Sequence, residues 1–84
     1  MKGYYLPAKV ARSRFTPATK LVYAYMLSES DSDSEIKIKH KDIAKALCLT
    51  TRTVRGTTRV LLNSGLIEII KVENFNIKTY KIYV

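Results

Sequence analysis

A chain of 84 residues with a hydrophobic fraction of 46% is expected to form one domain, spanning residues 1–84, around a compact core. Lys and Arg number 15 against 7 Asp and Glu, and the formal charge of +8 favours a polyanionic partner. No apolar stretch approaches the roughly 18 residues that a transmembrane helix needs, so a membrane-spanning protein is excluded.

Cysteine and histidine usage bears on the redox compartment and on metal binding. Cys48 is the single cysteine, so no internal disulfide can form, and the amino-terminal residues lack the long apolar core of a signal peptide. We therefore expect a reducing, cytoplasmic location. His40 and Cys48 have no other soft ligand near them in the sequence, so neither a metal site nor a cofactor is expected.

The first third of the chain is predicted to form an arm and a helix. Residues 1–15 contain basic but no acidic side chains and are interpreted as an amino-terminal arm. Thr16 is a good N-cap, and Pro17 suits the first helical position because its missing N–H would be unpaired there. Apolar residues then follow at helical spacing until Ser28, which predicts a helix over this segment.

The next segment is predicted to contain a loop and a short strand. Residues 28–35 alternate serine with acidic residues and are expected to form an exposed acidic loop. Residues 35–39 alternate polar and apolar side chains, which is typical of a half-buried strand.

Two helices and a hairpin complete the predicted order of elements. A helix over residues 40–47 and a turn at 48–50 precede a helix from Thr51 to about Asn63, which Thr50 caps and Gly65 ends. Residues 66–73 and 77–84 are predicted strands joined by a turn at 74–76. The inner faces are expected to carry Ile43, Ala44 and Leu47 in one helix and Val54, Thr58, Leu61 and Leu62 in the next.

Residues 38–55 (IKHKDIAKALCLTTRTVR) and 62–67 (LNSGLI) resemble the core of bacterial winged helix-turn-helix regulators. Residues 5–8 (YLPA) and 15–24 (FTPATKLVYA) are similar to the amino-terminal winged-helix domain of plasmid and phage replication initiators. The resemblance implies an α+β fold with a three-helix core, a short strand and a two-stranded wing. Residues 39–63 would then form the helix-turn-helix and residues 66–84 the wing hairpin.

Two residues depart from the pattern of that family. Cys48 stands in the turn where the family usually has Gly, so a somewhat strained turn is expected. Gly56 lies inside the last helix, where it costs about 1 kcal/mol relative to Ala. We interpret Gly56 as a point of close backbone approach to DNA; the alternative is a position left unoptimised.

The helix that begins at Thr51 is the predicted reading element. Its amino-terminal end would enter the major groove of duplex DNA, where Arg can pair with both acceptors of guanine. The residues predicted to contact bases are Thr51, Arg52, Arg55 and Gly56. Those predicted to contact phosphates are Lys39, His40, Lys41, Thr50, Thr53 and Arg59. The alternative is that these cations only solubilise the domain, but the absence of any acid from the helix argues against it.

The hairpin supplies weaker candidates for nucleic-acid contact. Lys71, Asn74, Asn76 and Lys78 surround its turn and are predicted to touch the neighbouring backbone or minor groove; a polar turn without DNA contacts is the equal alternative. Phe75 at the tip is expected to pack back onto the hairpin, with a minor-groove wedge or a subunit contact as alternatives.

Sequence-specific binding to double-stranded DNA, as a transcriptional regulator and a homodimer, is therefore the predicted function. A replication initiator's DNA-binding domain and a protein-binding adaptor of the same fold are the alternatives. An enzyme is not expected, because no acid/base pair, activated nucleophile or glycine-rich phosphate loop is present.

Overall fold

The computed structural model describes residues 14–74 and 77–83. In them three helices and a three-stranded antiparallel sheet follow the predicted order, and the expected α+β class is confirmed. The elements are α1 (Pro17–Glu29), β1 (Glu35–Ile38), α2 (His40–Leu47), α3 (Thr51–Asn63), β2 (Ile67–Val72) and β3 (Lys78–Ile82). The predicted arm lies almost entirely outside the described residues.

Threonine side chains cap two of the helices as predicted. The Oγ1 atom of Thr16 accepts a hydrogen bond from the backbone N–H of Thr19 at 3.2 Å, at the start of α1. Thr50 does the same for Thr53 at 3.1 Å, at the start of α3. Each bond satisfies one N–H that has no partner within the helix, so the threonines fix where the helices begin.

Two left-handed residues set the direction of the chain on either side of α3. Cys48 ends α2 at φ 56°, which confirms the strained turn expected there, since left-handed backbone is unfavourable for a residue with a Cβ. Gly65 follows α3 at φ 78° without this penalty. The N–H of Leu66 then donates to the carbonyl of Leu61 at 3.1 Å, and that of Gly65 to Leu62 at 3.2 Å, which closes the helix in a Schellman motif.

The acidic loop is shorter than its sequence suggests. The prediction of a loop over residues 28–35 is wrong for residues 28 and 29, because α1 continues to Glu29, while β1 begins at Glu35 as the predicted strand does. The carboxylate of Asp31 accepts hydrogen bonds from the N–H groups of Asp33 at 2.9 Å and Glu35 at 3.0 Å. These bonds order a compact turn, and its central residues are exposed as expected.

The last strand of the sequence is the middle strand of the sheet. The order is β1-β3-β2, with Ile36 opposite Tyr80 in one pair and Ile67 opposite Ile82 in the other. The register of β2 against β3 shifts between Ile69 and Lys71, which leaves the intervening residue out of the ladder.

The core lies between the helices and one face of the sheet. Both α1 and α2 pack on α3, and α3 also packs on β2. Among the residues predicted to point inward, Val54, Thr58 and Leu61 are buried, whereas Leu62 is only partly buried. The buried hydrophobic residues are Val22, Tyr23, Ala24, Met26, Ile36, Ile43, Ala44, Val54, Leu61, Leu66, Ile67, Tyr80 and Ile82. Each helix of the described chain is too short or too polar to cross a bilayer.

Candidate nucleic-acid interface

The predicted reading face of α3 is exposed. The residues of α3 predicted to contact DNA are all accessible to solvent: Thr51, Arg52, Thr53, Arg55, Gly56 and Arg59. Nothing lies within 4 Å of the position that a Cβ would occupy on Gly56, so the backbone itself is open there. The helix contains no acidic residue, so this surface carries positive charge only.

Helical spacing divides this face into two stripes. Thr51, Arg55 and Arg59 are successive i, i+4 neighbours and lie along the side of α3 that faces the sheet. Arg52 and Gly56, also four residues apart, lie on the adjoining stripe and do not line the cleft described next. The predicted base-contacting residues are therefore shared between two surfaces.

A cleft separates α3 from the start of α2 and from the sheet. Its volume is about 970 Å³. The cationic side chains along it come from three elements: Lys39 and Lys41 at the start of α2, Arg55 and Arg59 of α3, and Lys78 of β3. No carboxylate lines the cleft among the described residues. The structure therefore brings together four of the predicted phosphate contacts, Lys39, His40, Lys41 and Arg59.

The five cations of the cleft make no ion pairs within residues 14–74 and 77–83. Like charges held together without counter-charges repel one another and raise the local potential. Such an arrangement attracts an anion, because binding removes the repulsion as well as adding attraction.

The floor of the cleft is apolar, and the sequence reasoning missed it. Leu62 of α3 and three sheet residues, Ile69, Val72 and Tyr80, line it. Ile69 is opposite Tyr80, and Val72 is opposite Lys78 in the strand pairing. The alternation of Lys78, Tyr80 and Ile82 along β3 indicates that these residues share one face of the strand. Whether that face lies towards α3 depends on the strand order.

His40 stands at the floor of this basic cleft. Its Nε2 atom lies 3.1 Å from the hydroxyl oxygen of Tyr80, and the two rings stack with centroids 6.5 Å apart at 24°. Desolvation lowers the pKa of His40 below its usual 6.5, and the positive charges of Lys78 and Arg55 lower it further. Burial raises the pKa of Tyr80, which keeps the phenol protonated at neutral pH.

Three predicted DNA contacts make hydrogen bonds within the local structure instead. Thr50 and Thr53 do not line the cleft; the Thr50 hydroxyl both caps α3 and donates to the Thr53 hydroxyl at 2.9 Å. Asn74 accepts a hydrogen bond from the N–H of Ile77 at 3.1 Å and so shapes the hairpin turn. The predictions for Phe75 and Asn76 fall outside the described residues.

On the side of the hairpin away from the cleft, a carboxylate offsets part of the positive charge. Glu73 lies 2.8 Å from the Nζ atom of Lys37 and 3.9 Å from that of Lys71. The hydrogen bond from Lys37 is the main reason that the pKa of Glu73 lies below its usual value. Lys71, predicted to touch the DNA backbone or minor groove, therefore has a carboxylate near it. Lys78, predicted to do the same, lines the cleft.

The described residues contain no group of three or more His, Cys, Asp or Glu side chains able to hold a metal ion. Comparison of the chain with protein-family models, with curated proteins and with solved structures found no significant match.

Proposed function

We propose that this chain is a winged helix-turn-helix domain that binds duplex DNA sequence-specifically and acts as a transcriptional regulator. The observation that carries the proposal is the acid-free basic surface of α3, which continues across the cleft onto α2 and β3. Helix α2, the turn at residues 48–50 and α3 correspond to the helix-turn-helix, and β2 with β3 corresponds to the wing.

The outer stripe of α3 is the part assigned to base reading. The major groove is about 12 Å wide and admits one helix. In this placement Arg52 and the open backbone at Gly56 face the base edges, and Thr51 and Arg55 lie at the border with the cleft. Arg52 has no ion pair among the described residues, so its guanidinium is available for the paired acceptors of guanine.

The cleft is the part assigned to the DNA backbone. Lys39, Lys41, Arg59 and Lys78 would hold phosphate oxygens, and the apolar floor would pack against deoxyribose carbons. The combination of cations with an apolar floor suits a sugar–phosphate chain better than a uniformly charged partner. It also differs from a single-strand site, where exposed aromatic side chains stack on bases, because Tyr80 at the floor is only 1% exposed.

We further propose that the domain binds as a homodimer in a reducing cytoplasm. An operator with two half-sites would match the two-fold symmetry of such a dimer. The exposed free thiol of Cys48 suits a reducing compartment.

Selection of bound duplexes from a random pool, followed by titration of the selected duplex at several salt concentrations, tests the proposal. We expect enrichment of a defined, palindromic site and a log–log salt slope of roughly −0.9 per neutralised phosphate. Lys41→Ala should weaken binding and make the slope shallower. Lys45→Ala is the matched control, since Lys45 is exposed on the same helix but does not line the cleft.

The proposal fails if no duplex is enriched and the salt response is flat. A protein-binding adaptor would give that result. Preferential binding of single strands would contradict it as well.

A further inference from the structure

His40 is the single histidine of the sequence, and it has one ring nitrogen engaged and one open. Its Nε2 atom is paired with the Tyr80 hydroxyl. No described residue hydrogen-bonds Nδ1, and no buried side-chain nitrogen of the described chain lacks a partner, so Nδ1 must reach solvent. Because His40 lines the cleft, an anion bound there can approach this atom.

The charged groups around His40 are nearly all positive. Arg55 and Arg59 face the cleft from α3, and Lys78 faces it from β3 beside the neutral phenol of Tyr80. On its own helix, His40 lies between the cleft lysines 39 and 41, and the carboxylate of Asp42 does not line the cleft. In the free protein, burial first and then this surrounding charge lower the pKa of His40 and so disfavour an imidazolium.

We propose, building on the DNA binding proposed above, that His40 takes up one proton from solvent when a DNA phosphate enters the cleft. The phosphate brings negative charge to the open ring nitrogen and neutralises the cations that opposed protonation. The imidazolium then donates from Nε2–H to the Tyr80 oxygen and from Nδ1–H to a phosphate oxygen. His40 thereby becomes a charged phosphate ligand only in the complex.

Proton uptake makes DNA affinity depend on pH in a defined window. Affinity is constant above the pKa that His40 has in the complex. It rises as the pH falls below that value, by at most about tenfold per pH unit for one proton, and levels off below the lower pKa of the free protein.

The test is a pH titration of the His40 ring resonances by NMR, in the free protein and with a saturating selected duplex. A single histidine makes the assignment unambiguous. We expect a higher pKa in the complex. The Kd of the same duplex, at fixed ionic strength, should be at least about threefold lower at pH 6.0 than at pH 7.5. His40→Gln should abolish this difference.

The inference and the function it rests on fail in different ways. An unchanged pKa in the complex, or a pH-dependent Kd retained by His40→Gln, overturns the proton uptake while DNA binding stands. Absence of duplex binding by the wild-type protein at both pH values overturns the DNA-binding proposal and the inference with it. If His40→Gln does not fold, the wild-type NMR titration decides alone.

Discussion

The Tyr23 hydroxyl in α1 donates a hydrogen bond of 2.5 Å to the backbone carbonyl of Tyr83, just beyond the end of β3. The N–H of Tyr83 donates in turn to the carbonyl of Leu66 at 2.8 Å. One buried phenol thus joins α1 to the residue after β3, and through it to the segment that follows α3. The sheet that floors the cleft is held against the helices at this point.

Tyr23→Phe is expected to lower the free energy of unfolding by about 0.5–1.5 kcal/mol, because it removes this hydrogen bond. Urea denaturation measures the change. Tyr83→Phe is the control: among the described residues its hydroxyl donates to the exposed carboxylate of Glu68 alone, and the variant retains the carbonyl that Tyr23 uses. Equal effects of the two variants would contradict the prediction.

Leu61→Ala is expected to cost about 2–5 kcal/mol, through lost burial and the cavity it leaves. Leu61 is fully buried, whereas its neighbour Val60 is 42% exposed. Val60→Ala in the same helix should therefore cost much less. Thermal melting of both variants tests the orientation of α3, and a small effect of Leu61→Ala would mean that its inner face is misassigned.

Base recognition and phosphate binding are expected to respond to different substitutions. Titrations of each variant with cognate and scrambled duplexes at one salt concentration distinguish the two roles. Arg52→Ala and Arg55→Ala should each weaken cognate binding by about 1–3 kcal/mol and relax the preference at one base position. Lys41→Ala should weaken both duplexes about equally. Lys71→Ala should do so less, since Glu73 already lies 3.9 Å from its ammonium. If Lys71→Ala alone reduces the discrimination between cognate and scrambled duplexes, the hairpin and not α3 recognises the bases.

Protonation of His40 in the free protein is expected to favour unfolding. Its pKa is lower in the folded state than the ordinary 6.5, so the unfolded chain binds the proton more strongly. This contribution to stability is complete above pH 6.5 and is lost as the pH falls towards the folded pKa. Urea midpoints between pH 7.5 and 5.5 should therefore fall more for wild type than for His40→Gln. Parallel changes in the two proteins would exclude this role of His40.

Local signals in the sequence predict the helices well. The threonine caps at 16 and 50 and the glycine at 65 each act through hydrogen bonds within a few residues, so their neighbours in the sequence suffice to identify them. The exposed face of α3 follows from helical periodicity in the same way.

The parts of the site that the sequence does not predict depend on contacts between distant segments. Tyr80 meets His40 only because β3 lies in the middle of the sheet, and Glu73 meets Lys37 across the same sheet. The acidic loop was predicted, but the side-chain hydrogen bonds by which Asp31 orders it were not, because no periodicity reveals them.

The strand order has a consequence for synthesis on the ribosome, which releases the chain from its amino-terminal end. Strands β1 and β2 emerge first, yet in the sheet each pairs with β3 and not with the other. A nascent chain that ends before Lys78 therefore holds two strands without a partner and an incomplete floor beneath α3. The cleft can form only after β3 has left the exit tunnel, so the sheet and the cleft should form together.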